Sequence, residues 1–135
     1  ALKALEGRPQ KNLRAHALPW LTQSAYDALL HACDINFARG EDSIVRAMWA
    51  GAPFVWHIYL QSGGAHERKL KAMLNHLPVD IEVQKLWQAW NHLGPWPAAL
   101  PEPIAWREAC RQWRSGLIEQ SDLTSQLMRF VASKR

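Results

Sequence analysis

Seven consecutive residues decide how this sequence folds: Pro53-Phe54-Val55-Trp56-His57-Ile58-Tyr59. They are β-branched or aromatic at nearly every position and lack the polar–apolar alternation of a half-exposed strand. Such a run predicts a strand that is buried on both faces, as in a parallel sheet covered by helices. The neighbouring segments extend this prediction in both directions.

Two shorter strands, each followed by a helix, are predicted before this run. Asn12 to Leu18 partly alternates and is ended by Pro19, and Asp34-Ile35-Asn36-Phe37 predicts the second strand. Thr22 can cap the first helix, and the second runs from about Glu41 to Ala50 and stops at Gly51. The inner stripes of these helices are expected at Tyr26, Leu29, Leu30 and Cys33, and at Val45, Met48 and Trp49.

The chain becomes helical after the central strand. Ser62-Gly63-Gly64 predicts a loop, Gly94 to Pro103 predicts another with four prolines, and four helices are expected around them. Their stripes are Leu70, Met73, Leu74 and Leu77; Val83, Leu86, Trp87 and Trp90; Trp106, Cys110, Trp113 and Leu117; and Leu123, Leu127, Phe130 and Val131. We therefore expect βα units over 1–78 and a helical extension over 79–135, in an α/β fold with a short parallel sheet. Three strands are few for such a sheet, so further strands are expected upstream.

The amino-acid composition limits the classes of protein to which the chain can belong. The chain has 135 residues, 48% of them hydrophobic, which suits one domain with one core. Sixteen basic residues against twelve acidic ones are interspersed along the chain, which permits an anionic ligand without requiring one. No apolar run is long enough for a membrane span, and the first residues do not resemble a signal peptide. Cys33 and Cys110 predict two buried thiols in a reduced, cytoplasmic compartment.

One candidate site is the turn from Phe37 to Ser43. Free N–H groups of Glu41, Asp42 and Ser43 would point out of a helix start, where the helix dipole favours an anion. Arg39 would add a charge, and Gly40 would allow close backbone approach. On the residues alone, capping of the helix by its own acidic side chains, with Arg39 paired to one of them, is the more common arrangement.

A second candidate is the loop after the central strand. Tyr59 could donate its hydroxyl to a phosphate, and Gln61 could bond a sugar. His57 could act as a base, although a histidine inside a buried strand is more often structural. GxGxxG, HExxH, CxxC and GxSxG patterns do not occur, so neither a metal site nor a serine hydrolase is predicted.

Both candidate loops lie within long strings that resemble one family. Asn36-Phe37-Ala38-Arg39-Gly40-Glu41-Asp42-Ser43 and Pro53-Phe54-Val55-Trp56-His57-Ile58-Tyr59-Leu60-Gln61 are similar to the protein-arginine rhamnosyltransferases that modify elongation factor P, the EarP family. The resemblance is clear from Leu18 to Leu77 and looser towards the C-terminus.

The resemblance implies a fold and a reaction. The family has a GT-B fold, whose C-terminal Rossmann-like domain binds dTDP-β-L-rhamnose and whose N-terminal domain holds the acceptor side and catalytic aspartates. Rhamnose passes to an arginine of elongation factor P with inversion and without a metal or other cofactor. This chain would then be part of the donor-binding domain, inactive alone, meeting elongation factor P mainly through the other domain. No nucleic-acid or membrane partner is expected.

The resemblance also implies roles for individual residues. Glu41 matches a catalytic or sugar-contacting glutamate, and Asp42 and Ser43 match the pair at the diphosphate. Arg39 and Tyr59 match an arginine of the motif and a phosphate-contacting tyrosine. The remaining expected ligand contacts are Trp20, where Phe is common, and Gln23, on the thymine side. Leu60 replaces a common Pro.

Two other classes of function are compatible with the composition. The net charge and the eight tryptophans would suit a nucleic-acid binding module, but acidic residues interrupt any basic stripe. The tryptophan-rich helices could instead form a docking surface for a protein partner. The alternative prediction is therefore a non-catalytic binding domain for a nucleic acid or a protein.

Overall fold

The computed structural model describes residues 14–134, which form a two-stranded sheet and six α-helices. Their order is α1 Gln23–Ala32, β1 Asn36–Arg39, α2 Glu41–Ala50, β2 Phe54–His57, α3 Ala65–His76, α4 Ile81–Trp90, α5 Pro103–Ile118 and α6 Leu123–Ala132. A 3₁₀ turn, Ser62–Gly64, precedes α3. Within this range no helix is both long and apolar enough to cross a membrane.

The sheet is parallel, as predicted. β1 and β2 are joined through α2, and their register runs from Asn36 opposite Phe54 to Arg39 opposite His57. Phe54 and Val55 have no exposed surface, which confirms that the central strand is buried on both faces. Because the strands are parallel, both carboxyl ends lie at one edge of the sheet, beside the start of α2.

The predicted strand boundaries need correction. Residues 14–18 form no strand, and residues 12–13 lie outside the described residues, so the described sheet has two strands instead of three. Side chains at 14 and 16–18 are exposed, whereas the strands of a sheet covered by helices place their side chains in the core. β1 spans Asn36–Arg39 instead of 34–37, because Asp34 and Ile35 form the bend that leaves α1. β2 is shorter than 53–59 at both ends.

Local sequence signals set the helix ends. The Thr22 hydroxyl accepts a hydrogen bond from the Ala25 N–H at 3.2 Å, and Asp80 accepts one from the Val83 N–H at 2.9 Å. Gly51 ends α2 in the left-handed conformation. These observations confirm the predicted Thr22 cap and Gly51 stop.

The predicted inner face of α2 is wrong at Val45 and Trp49, whereas Met48 is partly buried and packs against the core. The buried residues are Ile44, Ala47 and Ala50, whereas Val45 and Trp49 are about half exposed, at 47% and 46%. The small alanines allow the helix to lie close to the sheet, and larger side chains at these positions would hold it away. A prediction that assigns the largest apolar residues of a helix to the core therefore fails here, because the small residues of α2 face the sheet.

The core is built around tryptophans of the helical half. Trp87 and Trp106 are buried, and the Phe54 and Trp87 rings meet edge to face at 5.3 Å between centroids. Burial raises the pKa of the Cys110 thiol to about 11, whereas Cys33 is only partly buried, contrary to the prediction of two buried thiols. The predicted last helix forms, but its apolar residues Leu123, Leu127, Phe130 and Val131 are exposed.

A single buried side chain occupies the outer edge of β2. The carbonyls of Pro53 and His57 accept hydrogen bonds from the β1 side, so the alternate groups of β2 point the other way. There the Asn91 amide donates to the Trp56 carbonyl at 2.7 Å and accepts from the Ile58 N–H at 3.0 Å. Asn91 thus replaces one residue of a neighbouring strand and fixes the chain just before Tyr59.

Candidate functional site

The candidate site lies where β1, β2 and α2 meet. Arg39 ends β1 opposite His57, and Gly40 is the N-cap of α2. Ligands of open α/β sheets bind at the carboxyl ends of parallel strands, beside helix N-termini. The two sequence strings singled out above therefore come together at one edge.

The end of β2 holds Gly40 through three contacts. The Gly40 N–H donates to the His57 carbonyl at 3.4 Å, and the Trp56 indole N–H donates to the Gly40 carbonyl at 3.2 Å. The Tyr59 ring covers the remaining side, since a Cβ on Gly40 would lie 3.0 Å from Tyr59 Cε2 and 3.3 Å from the hydroxyl oxygen. Gly40 also has φ +83° and ψ 173°, a conformation that essentially only glycine adopts. This packing places the Tyr59 hydroxyl beside the start of α2.

The first turn of α2 has no side-chain cap within residues 14–134. The first helical bond runs from the Ile44 N–H to the Gly40 carbonyl at 3.3 Å, so the amides of Glu41, Asp42 and Ser43 precede the helical ladder. Such amides, together with the helix dipole, favour an anion. The structure therefore does not adopt the alternative in which the acidic side chains cap their own helix.

Arg39 stacks on Tyr59. Its guanidinium carbon lies 4.9 Å from the centroid of the tyrosine ring. Among residues 14–134 the ion pairs do not include Arg39, so pairing with Glu41 or Asp42, the other sequence alternative, is not observed either. The Arg39 guanidinium and the Tyr59 hydroxyl thus both lie beside the start of α2.

His57 has the features of a structural histidine. Partial burial lowers its pKa, and the positive charges of Arg39 and His92 lower it further. Its ring lies edge-on to Trp90, with 6.4 Å between centroids. In the part of the chain that is described, no three His, Cys, Asp or Glu side chains lie together as a metal site would require.

An open groove continues from the helix start. It has a volume of about 550 Å³ and is lined by Leu18, Pro19, Trp20, Leu21, Tyr26 and Ser43. Trp20 is fully exposed, so one face of its indole is free for contact with a ligand. Apolar and aromatic walls with Ser43 at the helix start suit a flat heterocycle attached to an anion.

An ion pair joins the two helices on either side of this groove. One Arg46 guanidinium nitrogen lies 2.8 Å from each carboxylate oxygen of Asp27. Asp27 follows Tyr26 in α1, and Arg46 lies one turn after Ser43 in α2. The pair therefore connects the helix that carries Tyr26 to the helix that carries Ser43.

We expect Arg46→Ala to lower the free energy of unfolding by about 1 kcal/mol, because the pair is partly shielded from water and a single guanidinium nitrogen bonds both carboxylate oxygens. The exchanged pair Asp27→Arg with Arg46→Asp should recover at least half of that loss. Lys85→Ala, which breaks an exposed pair within α4, is the control and should cost less than about 0.5 kcal/mol. Urea unfolding measures all three, and equal losses for Arg46→Ala and Lys85→Ala would contradict the inter-helix role.

The residues predicted for the site fall into two groups. Arg39, Glu41, Asp42, Ser43 and Tyr59 gather at the helix start, and Trp20 shares the groove with Ser43. Gln23, in contrast, is the exposed first residue of α1 and does not line the groove. Tyr26, which the sequence predicts in the inner stripe of α1, is half-buried against the core and also forms part of the groove wall.

The sequence does not predict the roles of two residues at the site. The sequence predicts Trp56 only as part of the buried strand, whereas in the structure its indole N–H also donates to the Gly40 carbonyl. Asn91 follows a helix as one polar residue between Trp90 and His92, and no local pattern distinguishes it. A buried position for Asn91 could have been suspected only from its spacing of four residues after Trp87.

Comparison with known proteins places this geometry in a family. The model of the elongation factor P (EF-P) rhamnosyltransferase family EarP matches residues 1–132. A protein-arginine rhamnosyltransferase of Pseudomonas aeruginosa is 39% identical over 130 residues, which are 89% of this chain and 35% of that protein. One from Pseudomonas putida is 39% identical over 133 residues, 91% of this chain and 35% of that protein.

A solved structure is also similar. It concerns the structural basis of EarP-mediated arginine glycosylation of translation elongation factor EF-P, and it matches with a TM-score of 0.61 at 33% identity. The match covers 87% of this chain and 40% of that one. The chain spans about a third of the length of the curated relatives that it matches.

Proposed function

The chain belongs to the EarP family of elongation factor P rhamnosyltransferases, and from this premise we propose that it is the donor-binding portion of an inverting glycosyltransferase. The enzyme transfers L-rhamnose from dTDP-β-L-rhamnose to an arginine of elongation factor P. The observation that carries the proposal is the set of contacts between the end of β2 and Gly40. These contacts place the Tyr59 ring, with the Arg39 guanidinium stacked on it, beside the uncapped start of α2.

The diphosphate of the donor binds at the start of α2. The amides of Glu41, Asp42 and Ser43 supply donors, while Arg39 approaches from the end of β1 and the Tyr59 hydroxyl from the segment after β2. Preorganised donors stabilise the charge that develops on a departing diphosphate. No metal or other cofactor takes part in this proposal.

The thymine of the donor occupies the groove, and the rhamnose lies beside the acidic first turn of α2. Thymine packs on Trp20, with Gln23 at its rim, and Glu41 contacts the rhamnose as the catalytic residue of this portion. In the transfer step the anomeric carbon loses its bond to the diphosphate oxygen, and dTDP leaves with the bonding electron pair. The same carbon forms a bond to a guanidinium nitrogen, whose proton passes to a carboxylate base on the acceptor side of the enzyme. A cationic acceptor is compatible with exposed carboxylates beside a phosphate site.

We propose that the remainder of the enzyme supplies the acceptor side. The fold is the C-terminal Rossmann-like domain of a GT-B enzyme, with 1–78 as βα units and 79–135 as the helical extension. This portion binds donor but does not transfer the sugar alone, and it acts in the cytoplasm. The family match does not favour the alternative of a non-catalytic binding domain for a nucleic acid or a protein.

Loss of the Arg39 charge should weaken dTDP binding. We expect Arg39→Ala to raise the Kd for dTDP about tenfold, because a bond from a guanidinium to a phosphate contributes about 1.5–3 kcal/mol. Arg129→Ala removes the same charge from the last turn of α6, where Arg129 bonds Ser121, and should change the Kd by less than about twofold. Isothermal titration calorimetry measures both. Equal affinities of wild type and Arg39→Ala would contradict the proposed phosphate contact, and no heat from folded wild type would contradict the donor site.

A further inference from the structure

We propose that Trp56 is a positioning residue for the donor diphosphate: its indole N–H holds the Gly40 carbonyl and thereby directs the Glu41 amide towards the phosphate. The inference rests on the proposed function, since it concerns the same donor site. It assigns to a core tryptophan a role that its burial alone does not require.

The hydrogen bond is well placed for this role. Trp56 is 7% exposed, and its Nε1 lies 3.2 Å from the Gly40 oxygen in a buried setting. The same oxygen accepts the first helical bond from Ile44 at 3.3 Å, so both of its lone pairs have a donor. In a buried setting such a bond is electrostatically stronger than in water.

Peptide geometry carries the effect from Trp56 to the site. The carbonyl of Gly40 and the N–H of Glu41 belong to one planar trans peptide unit, in which they point in opposite directions. A donor that fixes the carbonyl therefore fixes the first free N–H of α2 and points it away from the indole. Glycine has the least restricted backbone, so this peptide depends on outside contacts for its orientation. Within residues 14–134, the other hydrogen bond that joins the Gly40 backbone to β2 is the longer one from its N–H to the His57 carbonyl, at 3.4 Å.

Other tryptophans of the core show that this bond is not a general requirement. The indole nitrogens of Trp87 and Trp90 are buried and have no hydrogen-bond partner within the described residues. The core therefore uses these indoles for their volume and tolerates an unsatisfied N–H. At Trp56 the N–H is instead aimed at the one peptide that opens α2.

A pair of matched variants separates positioning from packing. Trp56→Phe and Trp87→Phe each shrink one buried aromatic ring, but only the first removes a hydrogen bond. We expect Trp56→Phe to raise the Kd for dTDP about five- to tenfold, the equivalent of one hydrogen bond of about 1 kcal/mol. Trp87→Phe should leave the Kd within about twofold, even if its loss of thermal stability is the larger. Calorimetry on the 135-residue chain gives both constants.

A measurement on the unmodified chain tests the same inference without relying on variant folding. In ¹H–¹⁵N spectra, saturation with dTDP should shift the Trp56 indole resonance together with the Glu41 amide, because bonds in a chain polarise each other. The Trp87 indole resonance should stay in place. An unmoved Trp56 indole, or equal affinity of Trp56→Phe and wild type, would overturn the positioning role while leaving the donor site standing. Absence of dTDP binding by folded wild type would instead overturn the proposed function itself.

Discussion

Asn91→Ala is expected to lower the free energy of unfolding by about 3–5 kcal/mol, a large part of the about 5–15 kcal/mol that stabilises a small domain. The substitution removes three buried hydrogen bonds, to the Trp56 carbonyl, the Ile58 N–H and the Trp87 carbonyl at 2.7, 3.0 and 2.8 Å. It leaves the edge of β2 unsatisfied in a site closed to water, where each unpaired group costs about 1–3 kcal/mol. Urea denaturation followed by circular dichroism measures the change.

Two further variants locate the cause of that loss. Asn75→Ala removes an exposed asparagine of α3 and should cost less than about 0.5 kcal/mol. Asn91→Asp keeps the shape and the acceptor for Ile58 but loses both amide donations, so it should destabilise the protein nearly as much as alanine. A loss below about 1 kcal/mol for Asn91→Ala would show that the side chain does not substitute for a strand.

Gly40→Ala is expected to raise the Kd for dTDP more than about tenfold and to lower stability by about 1–3 kcal/mol. The new Cβ would lie 3.0 Å from Cε2 of Tyr59, so the ring whose hydroxyl we propose as a phosphate donor must move. The backbone at φ +83° and ψ 173° is also strained for any other residue. Calorimetry with dTDP and thermal unfolding measure the two effects.

Gly63→Ala is the matched control for this substitution. Gly63 also has a positive φ, +65°, but a Cβ there would meet nothing within 4 Å. We expect a stability loss of about 1 kcal/mol from the backbone alone and an unchanged Kd for dTDP. Should both variants bind dTDP like wild type, the close packing of Tyr59 on Gly40 would have no part in donor binding.

The position of the site could be predicted because it depends on local signals. An uninterrupted β-branched and aromatic run predicts the buried β2, and a glycine before two acidic residues predicts the start of α2. Parallel pairing then brings both to one edge without further information. Thr22 and Gly51 set helix ends by the same kind of short-range chemistry.

Features that depend on contacts between residues far apart in the sequence could not be predicted from local sequence signals. The inner face of α2 is chosen by its fit to the sheet, so the small Ala47 is buried and the large Trp49 is half exposed. The Trp56 bond to Gly40 crosses 16 positions of sequence, and the Asn91 bond to Trp56 crosses 35. Only the resemblance predicts a ligand contact for Gln23, which stays a prediction, since its side chain is not among those that line the groove.

We propose that the start of α2 binds the diphosphate of a nucleotide-sugar donor. Titration of the ¹⁵N-labelled chain with dTDP tests it most directly, because each backbone amide reports separately. We predict saturable shifts that are largest at Glu41, Asp42 and Ser43 and that extend to Tyr59. A folded chain whose amides at these positions do not move, or move less than those of α5 and α6, would contradict the claim.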